Sequence, residues 1–155
     1  MIRKAKSSDS TQLAELFSQL HRHHCEIAPQ KHRMPSYEFF ERGIEEILAD
    51  DEQTVLVNCD ENENKINAYA VFKIIDINSE PKTPRRVCFI DCFSVAEGAR
   101  RKGVGSLLFD AVKELGRERG CNAVQLGVDA ENSGAIKFYE KMGLSPRTLI
   151  LTEQI

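Results

Sequence analysis

No stretch of this 155-residue chain stays apolar for the roughly 20 residues that a membrane-spanning helix requires, so no membrane partner is expected. Residues 1–10 are polar and hold no hydrophobic region of the kind a secretory leader carries, so no leader is expected. Cysteine occurs five times, an odd number with no paired spacing, which argues against a disulfide framework. Cys88, Cys92 and Cys121 fall in or beside apolar runs, and all the cysteines are expected as reduced thiols of a cytoplasmic protein. Histidine is confined to residues 21–32, as His21, His23, His24 and His32. His21, His24 and Cys25 share a helix face, but no second ligand cluster exists elsewhere, so no metal is expected. Repeats and low-complexity segments are absent.

What is present suits one globular domain over residues 1–155. The net charge of −3 is unevenly spread: residues 1–80 hold 15 acidic and 9 basic side chains, residues 81–155 hold 9 and 12. The basic half suits a polyanionic cofactor, while the acidic half argues against nucleic acid and suits a cationic amine. Two solvated surfaces without functional meaning would give the same count.

Apolar spacing predicts a first strand at Ile2–Ala5 and a helix from about Asp9 to His24, with Leu13, Leu16, Phe17 and Leu20 on its apolar face. A second helix is capped by Ser36 and carries Phe40, Ile44, Ile47 and Leu48. Strands at Thr54–Asn58 and Ile66–Ile75 read as a hairpin around a polar turn. A fourth strand, Arg86–Val95, leads to a helix from Val104 to about Arg119, with Gly120 as its C′ residue. A fifth strand at Ala123–Val128, a helix at Ser133–Met142 stopped by Gly143, and a terminal strand at Arg147–Glu153 complete the chain.

The most informative stretch joins the fourth strand to the third helix: Arg100-Arg101-Lys102-Gly103-Val104-Gly105-Ser106. A helix N-terminus offers unpaired N–H groups and a positive dipole end, glycines allow close approach, and three adjacent cations add charge. This is an anion cradle. It is not a nucleotide P-loop, and it is not Gly-x-Gly-x-x-Gly, because Leu108 holds the third glycine position. A turn with a solvated charge cluster is the plain alternative.

A second stretch, Asn132-Ser133-Gly134-Ala135-Ile136-Lys137-Phe138-Tyr139 through Gly143-Leu144, decides between them. Together the two stretches resemble the GCN5-related N-acetyltransferase (GNAT) superfamily. Arg100, Gly103 and Gly105 match its Arg/Gln-x-x-Gly-x-Gly/Ala signature. Asn132, Ala135, Phe138, Tyr139, Gly143 and Leu144 match its second motif. The similarity runs without a gap over residues 87–144; Glu97 and Arg101 depart from the Pro and Gly common there. The resemblance implies a mixed α/β fold: a six- to seven-stranded sheet, helices on both faces, and fourth and fifth strands splayed apart. It implies acetyl-CoA as acyl donor and a small-molecule or peptide amine as acceptor, and it is compatible with a homodimer.

On that footing the pyrophosphate is expected on backbone N–H groups of Arg101, Lys102, Gly103, Val104 and Gly105, with Arg100 nearby and the Ser106 hydroxyl adding a donor. The pantetheine arm is expected along Phe93, Ser94 and Val95. A β-bulge would open the slot for it, hinted at only by polar Ser94. A backbone N–H in the same segment is expected to meet the developing oxyanion, a contribution of about 3–4 kcal/mol. Tyr139 is the expected general acid, or else a buried aromatic beside Phe138. Asp91 is a base acting through water, a binder of the cationic substrate, or a structural aspartate. Asn132 contacts the cofactor, caps the last helix, or does both; Ala135 lies beside it. Tyr37, Phe39, His32 and Arg33 are acceptor-pocket candidates. The rival reading is a regulatory or interaction module that binds acyl-CoA without turnover.

Overall fold

The computed structural model describes all 155 residues. Five strands form one sheet in the order β1 (Ile2–Lys4), β2 (Gln53–Asp60), β3 (Lys65–Ile77), β4 (Arg85–Val95), β5 (Ala123–Leu126). The first three pairings are antiparallel, and β4 pairs β5 in parallel. Helices α1 (Ser10–Ile27) and α2 (Tyr37–Ala49) precede β2; α3 (Val104–Glu118) crosses from β4 to β5, and α4 (Ser133–Lys141) follows β5.

Strand alternation divides the core in two. Val55, Val57, Tyr69 and Val71 face Leu13, Ala14 and Leu16 of α1 and Phe40 and Ile44 of α2. Leu56, Ala68, Ala70 and Phe72 face Leu108, Phe109 and Val112 of α3. Because β3 is covered on both sides, Tyr69–Phe72 reads as an unbroken apolar run rather than an alternating one. A register shift between Asn58 and Cys59 leaves Asn67 unpaired and turns Ile66 to the α1/α2 face.

Before α1, Asp9 is 4% exposed and accepts two bonds from Arg3, at 2.7 and 3.0 Å, and one from the Lys6 amide at 2.7 Å. The Arg3 guanidinium holds the Asp9 carboxyl below the usual carboxylate range, outweighing its desolvation. These bonds secure the turn from which α1 starts, although Asp9, at the N-cap of α1, makes no cap bond to that helix. Ser36 is the N-cap of α2, but its side chain makes no cap bond.

The six- to seven-stranded expectation is corrected to five strands. Arg147–Glu153 forms no ladder, and Leu149, Ile150 and Leu151 stand exposed. Apolar composition alone does not make a strand: the outer edge of β5 is open, but this segment does not pair with it. β5 also ends two residues earlier than its apolar run predicts, at Leu126, because its partner has turned away. No helix is long and apolar enough to cross a membrane.

Candidate active site

The departure of β4 from β5 makes the site. Their pairing runs from Val87–Ala123 to Ile90–Leu126 and then stops. On the opposite edge of β4, Phe72 pairs Ile90 and Val71 pairs Cys92, so Asp91 is an extra residue without a partner. This is a β-bulge, and it sits where β4 parts from β5. A bulge bends its strand and strengthens its twist, which carries Cys92–Val95 away from the neighbouring strand. The splay is as expected; its source is Asp91, three residues before Ser94.

A cleft of about 920 Å³ passes through the sheet at this gap. Phe17, Leu20, His21, His23 and His24 of α1 wall it on one face, and Gly103, Gly105 and Ser106 line it at the start of α3 on the other. Ile90 through Val95 form its floor, with Asn132, Ala135, Phe138 and Tyr139 opposite.

At the α3 end the loop is shaped by two left-handed residues, Arg101 at φ 62° and Gly103 at φ 79°. Glycine takes that conformation freely, whereas an L side chain pays about 1–2 kcal/mol for it. Gly103 is the N-cap of α3 and has no side chain to cap the first turn, so the N–H groups of Val104, Gly105 and Ser106 remain open to an anion. A Cβ on Gly103 would meet nothing within 4 Å, leaving the space beside it free. Gly105 is required for another reason. A Cβ there would come 3.2 Å from Val95 Cγ2 and 3.5 Å from the Phe138 ring, so its role is close packing of α3 on β4 and α4. Arg100 donates through Nε to the Val95 carbonyl at 3.1 Å and ties the loop to the strand end. Arg100 and Arg101 line the cleft; Lys102 and Val104 do not, Val104 packing instead against the α3-side core.

Tyr139 and Phe138 pack with Phe93 and Phe109 into an aromatic group whose ring centres lie 5.4–6.3 Å apart. Burial pushes the Tyr139 phenol up to about 12. Burial likewise pushes the Cys92 thiol up to about 12, with Asp91 adding to it. Asn132 accepts the Ala135 N–H at 3.2 Å, the bond of a helix cap. Asp91 is exposed, with Oδ2 3.7 Å from Lys73 Nζ.

The α1 end holds what sequence reasoning missed. Asp129, just past β5, accepts or shares the proton of His32 Nε2 at 2.7 Å. Lys31 reaches Glu131 at 2.9 Å and Asp129 at 3.5 Å, and Gln30 donates to Glu131 at 3.0 Å. The loop after α1 is thereby clasped to the segment after β5, about a hundred residues away along the chain. The signal available in sequence was the histidine cluster; its partner carboxylates gave none. Of the acceptor candidates, His32 belongs to this clasp, and Arg33 contributes its carbonyl to His21 at 2.8 Å. Tyr37 and Phe39 are not brought to the cleft; they stand exposed on the outer side of α2, Tyr37 with its hydroxyl 3.4 Å from Glu15. No group of three or more His, Cys, Asp or Glu side chains is arranged to hold a metal ion.

Comparison with known proteins places this architecture. Over 150 residues the chain is 27% identical to the uncharacterized N-acetyltransferase YhfO of Bacillus subtilis, covering 95% of this chain and 91% of the relative. It is 31% identical over 77 residues to YdgE of the same organism, but that match spans about half of each chain, 50% and 49%. Among solved structures, a mutant of the BH1408 protein from Bacillus halodurans superposes with a TM-score of 0.89 at 26% identity, covering 100% and 99% of the two chains. Aminoglycoside N-acetyltransferase AAC(6′)-Iy in complex with CoA shares the fold, with a TM-score of 0.77 at 19% identity over 100% and 93%. The acetyltransferase (GNAT) family model matches residues 13–144, a span that takes in both walls of the cleft and the bulge between them, and the chain belongs to that family.

Proposed function

We propose that the protein transfers an acetyl group from acetyl-CoA to a primary amine of a small molecule or peptide, by direct attack with both substrates bound. The observation that carries this reading is the cleft through the sheet at the Asp91 bulge. It joins the glycine loop and α3 N-terminus on one face to the histidine-lined wall of α1 on the other. The residues fit the donor. Open N–H groups at 104–106 suit the pyrophosphate, with Arg100 and Arg101 beside them. The edge of Phe93, Ser94 and Val95 that faces away from β3 has no strand partner and suits an extended arm laid along it. Bound acetyl-CoA supplies the activated acyl carbon; the chain holds, orients and moves protons.

Backbone N–H groups in the segment 93–95 are positioned to receive negative charge on the acyl oxygen. Tyr139 keeps its proton at neutral pH and is the donor to the departing sulfur. With a phenol near 12 and an alkyl thiol near 8.5, that transfer is uphill and needs the thiolate to form beside it. Cys92 supports direct attack. A thiol pushed up to about 12 is not a nucleophile at neutral pH, so no acyl-enzyme is expected. Asp91 remains a candidate to bind a cationic acceptor, its pairing with Lys73 being long and exposed.

The test mixes purified protein, acetyl-CoA and a panel of primary amines and follows free thiol. Amine-dependent thiol release is expected. CoA binding that raises the melting temperature, with no release for any amine, would support a binding module in place of an enzyme.

A further inference from the structure

The acceptor wall of the cleft offers an imidazole with no partner. Along α1, Phe17, Leu20, His21 and His24 follow the i, i+3, i+4, i+7 spacing of one helix face, and all line the cleft. Two histidines around it are committed. His21 Nε2 lies 2.8 Å from the Arg33 carbonyl, and His32 Nε2 lies 2.7 Å from Asp129. The His24 ring makes no hydrogen bond. Half-buried, it packs against both, with its centre 5.3 Å from that of His32 and 6.2 Å from that of His21, which are themselves 5.8 Å apart.

We propose that His24 is the general base of the transfer, taking the proton from the acceptor ammonium, and that the His32–Asp129 pair fixes the wall that aims it. The proposal rests on the acetyl-transfer reading above. One N–H proton of the ammonium passes to a ring nitrogen of His24. The freed lone pair forms the C–N bond to the acyl carbon as the C–S bond breaks. Tyr139 gives its phenol proton to the departing thiolate, and the second N–H proton of the nitrogen passes to Tyr139 in its place. His24 returns its proton to water.

The surroundings keep His24 ready. Burial holds its pKa below the ordinary imidazole value, and His32, His21 and His23 act in the same direction. Asp129 opposes them, but its charge is shared with His32 and Lys31. Asp91 and Cys92 of β4 and Tyr139 of α4 border the same cleft. A histidine held low is unprotonated at neutral pH and free to accept. It is better matched to an α-amine, with pKa about 8, than to an alkylamine near 10.4.

The experiment uses the intact protein with acetyl-CoA and two probe acceptors, glycinamide and butylamine. His24→Asn should lower turnover about 10²-fold while calorimetric affinity for CoA stays unchanged. The acidic limb of the pH profile of kcat/KM should disappear with it. In His24→Ala, millimolar imidazole should restore turnover, which a packing role would not allow. In wild type, the ring signals of His24 in a nitrogen-15 titration should move at a pH below that of an unperturbed histidine. Retained turnover and an intact acidic limb in folded His24→Asn would overturn the proposal while leaving acetyl transfer standing. So would transfer of these effects to Asp91→Asn or His23→Asn. A wild type that acetylates neither probe nor any amine of the wider panel would overturn both readings.

Discussion

At the α3 end of the cleft the working groups are backbone: left-handed Gly103, the open N–H groups after it, and strand segment 93–95 freed by the bulge. At the α1 end they are side chains, His21, His24 and the His32–Asp129 clasp, drawn from three separate segments. Backbone groups survive any change of side chain that leaves the conformation intact, whereas side-chain groups do not. The difference teaches where variation is tolerated: the first end depends on conformation, the second on residue identity.

The strongest way to break this contrast is Gly103→Glu. The substitution forces a side chain into φ 79° and sets a negative charge in the cradle. Loss of detectable CoA binding by calorimetry is expected, with the fold retained, because a Cβ there meets no protein atom within 4 Å. Unchanged affinity would remove the cradle from the site. Next in size is Tyr139→Phe, which keeps the aromatic packing and removes the proton. Turnover should fall about 10²-fold, with Michaelis constants nearly unchanged. A rise confined to the amine's Michaelis constant would move Tyr139 to the acceptor end.

Acid sharpens the contrast further. The folded protein holds His24 below its unfolded pKa, so between the two values the unfolded chain binds more protons. The associated stability is complete above about pH 6.5 and is lost as pH falls through the lower folded value. Asp9 and Asp129, also held low, add losses below about pH 3.9. The melting temperature should therefore begin to fall just below pH 6.5, and His24→Asn should remove that first step. Tyr139 and Cys92, by contrast, are raised to about 12 and titrate only in strong alkali. The smallest effect is expected of Arg101→Gly. It relieves a left-handed side chain at φ 62° but gives the unfolded chain more freedom, for a net gain of at most about 1 kcal/mol in urea unfolding.

The element order was legible because α1, α2 and α3 carry apolar residues at helical spacing and β2–β4 carry uninterrupted strand formers. The strand–loop–helix around Gly103 was legible because it is local: its parts are contiguous, and glycine marks the turn. Arg101 shows the limit of that reading, since its positive φ is visible only once the loop is folded. The clasp of Gln30, Lys31 and His32 on Asp129 and Glu131 was not legible, because nothing local pairs residues so far apart in the chain. Tyr37 and Phe39 misled for the same reason: helix composition does not say which way α2 turns its aromatic residues.

By itself, then, the amino-acid sequence determined the helices, the five strand segments, the glycine turn and the capping of α4 by Asn132, all set by propensity and hydrogen bonds within a few residues. Tertiary structure decided the rest. It placed the bulge at Asp91, because strand register is settled by pairing with β3. It left residues 147–153 without a strand, because a ladder forms only where a segment is brought into register with a neighbour. It also engaged His21 and His32 in hydrogen bonds and left the half-buried His24 ring without one, because burial and partners are properties of packed neighbours and not of the residue.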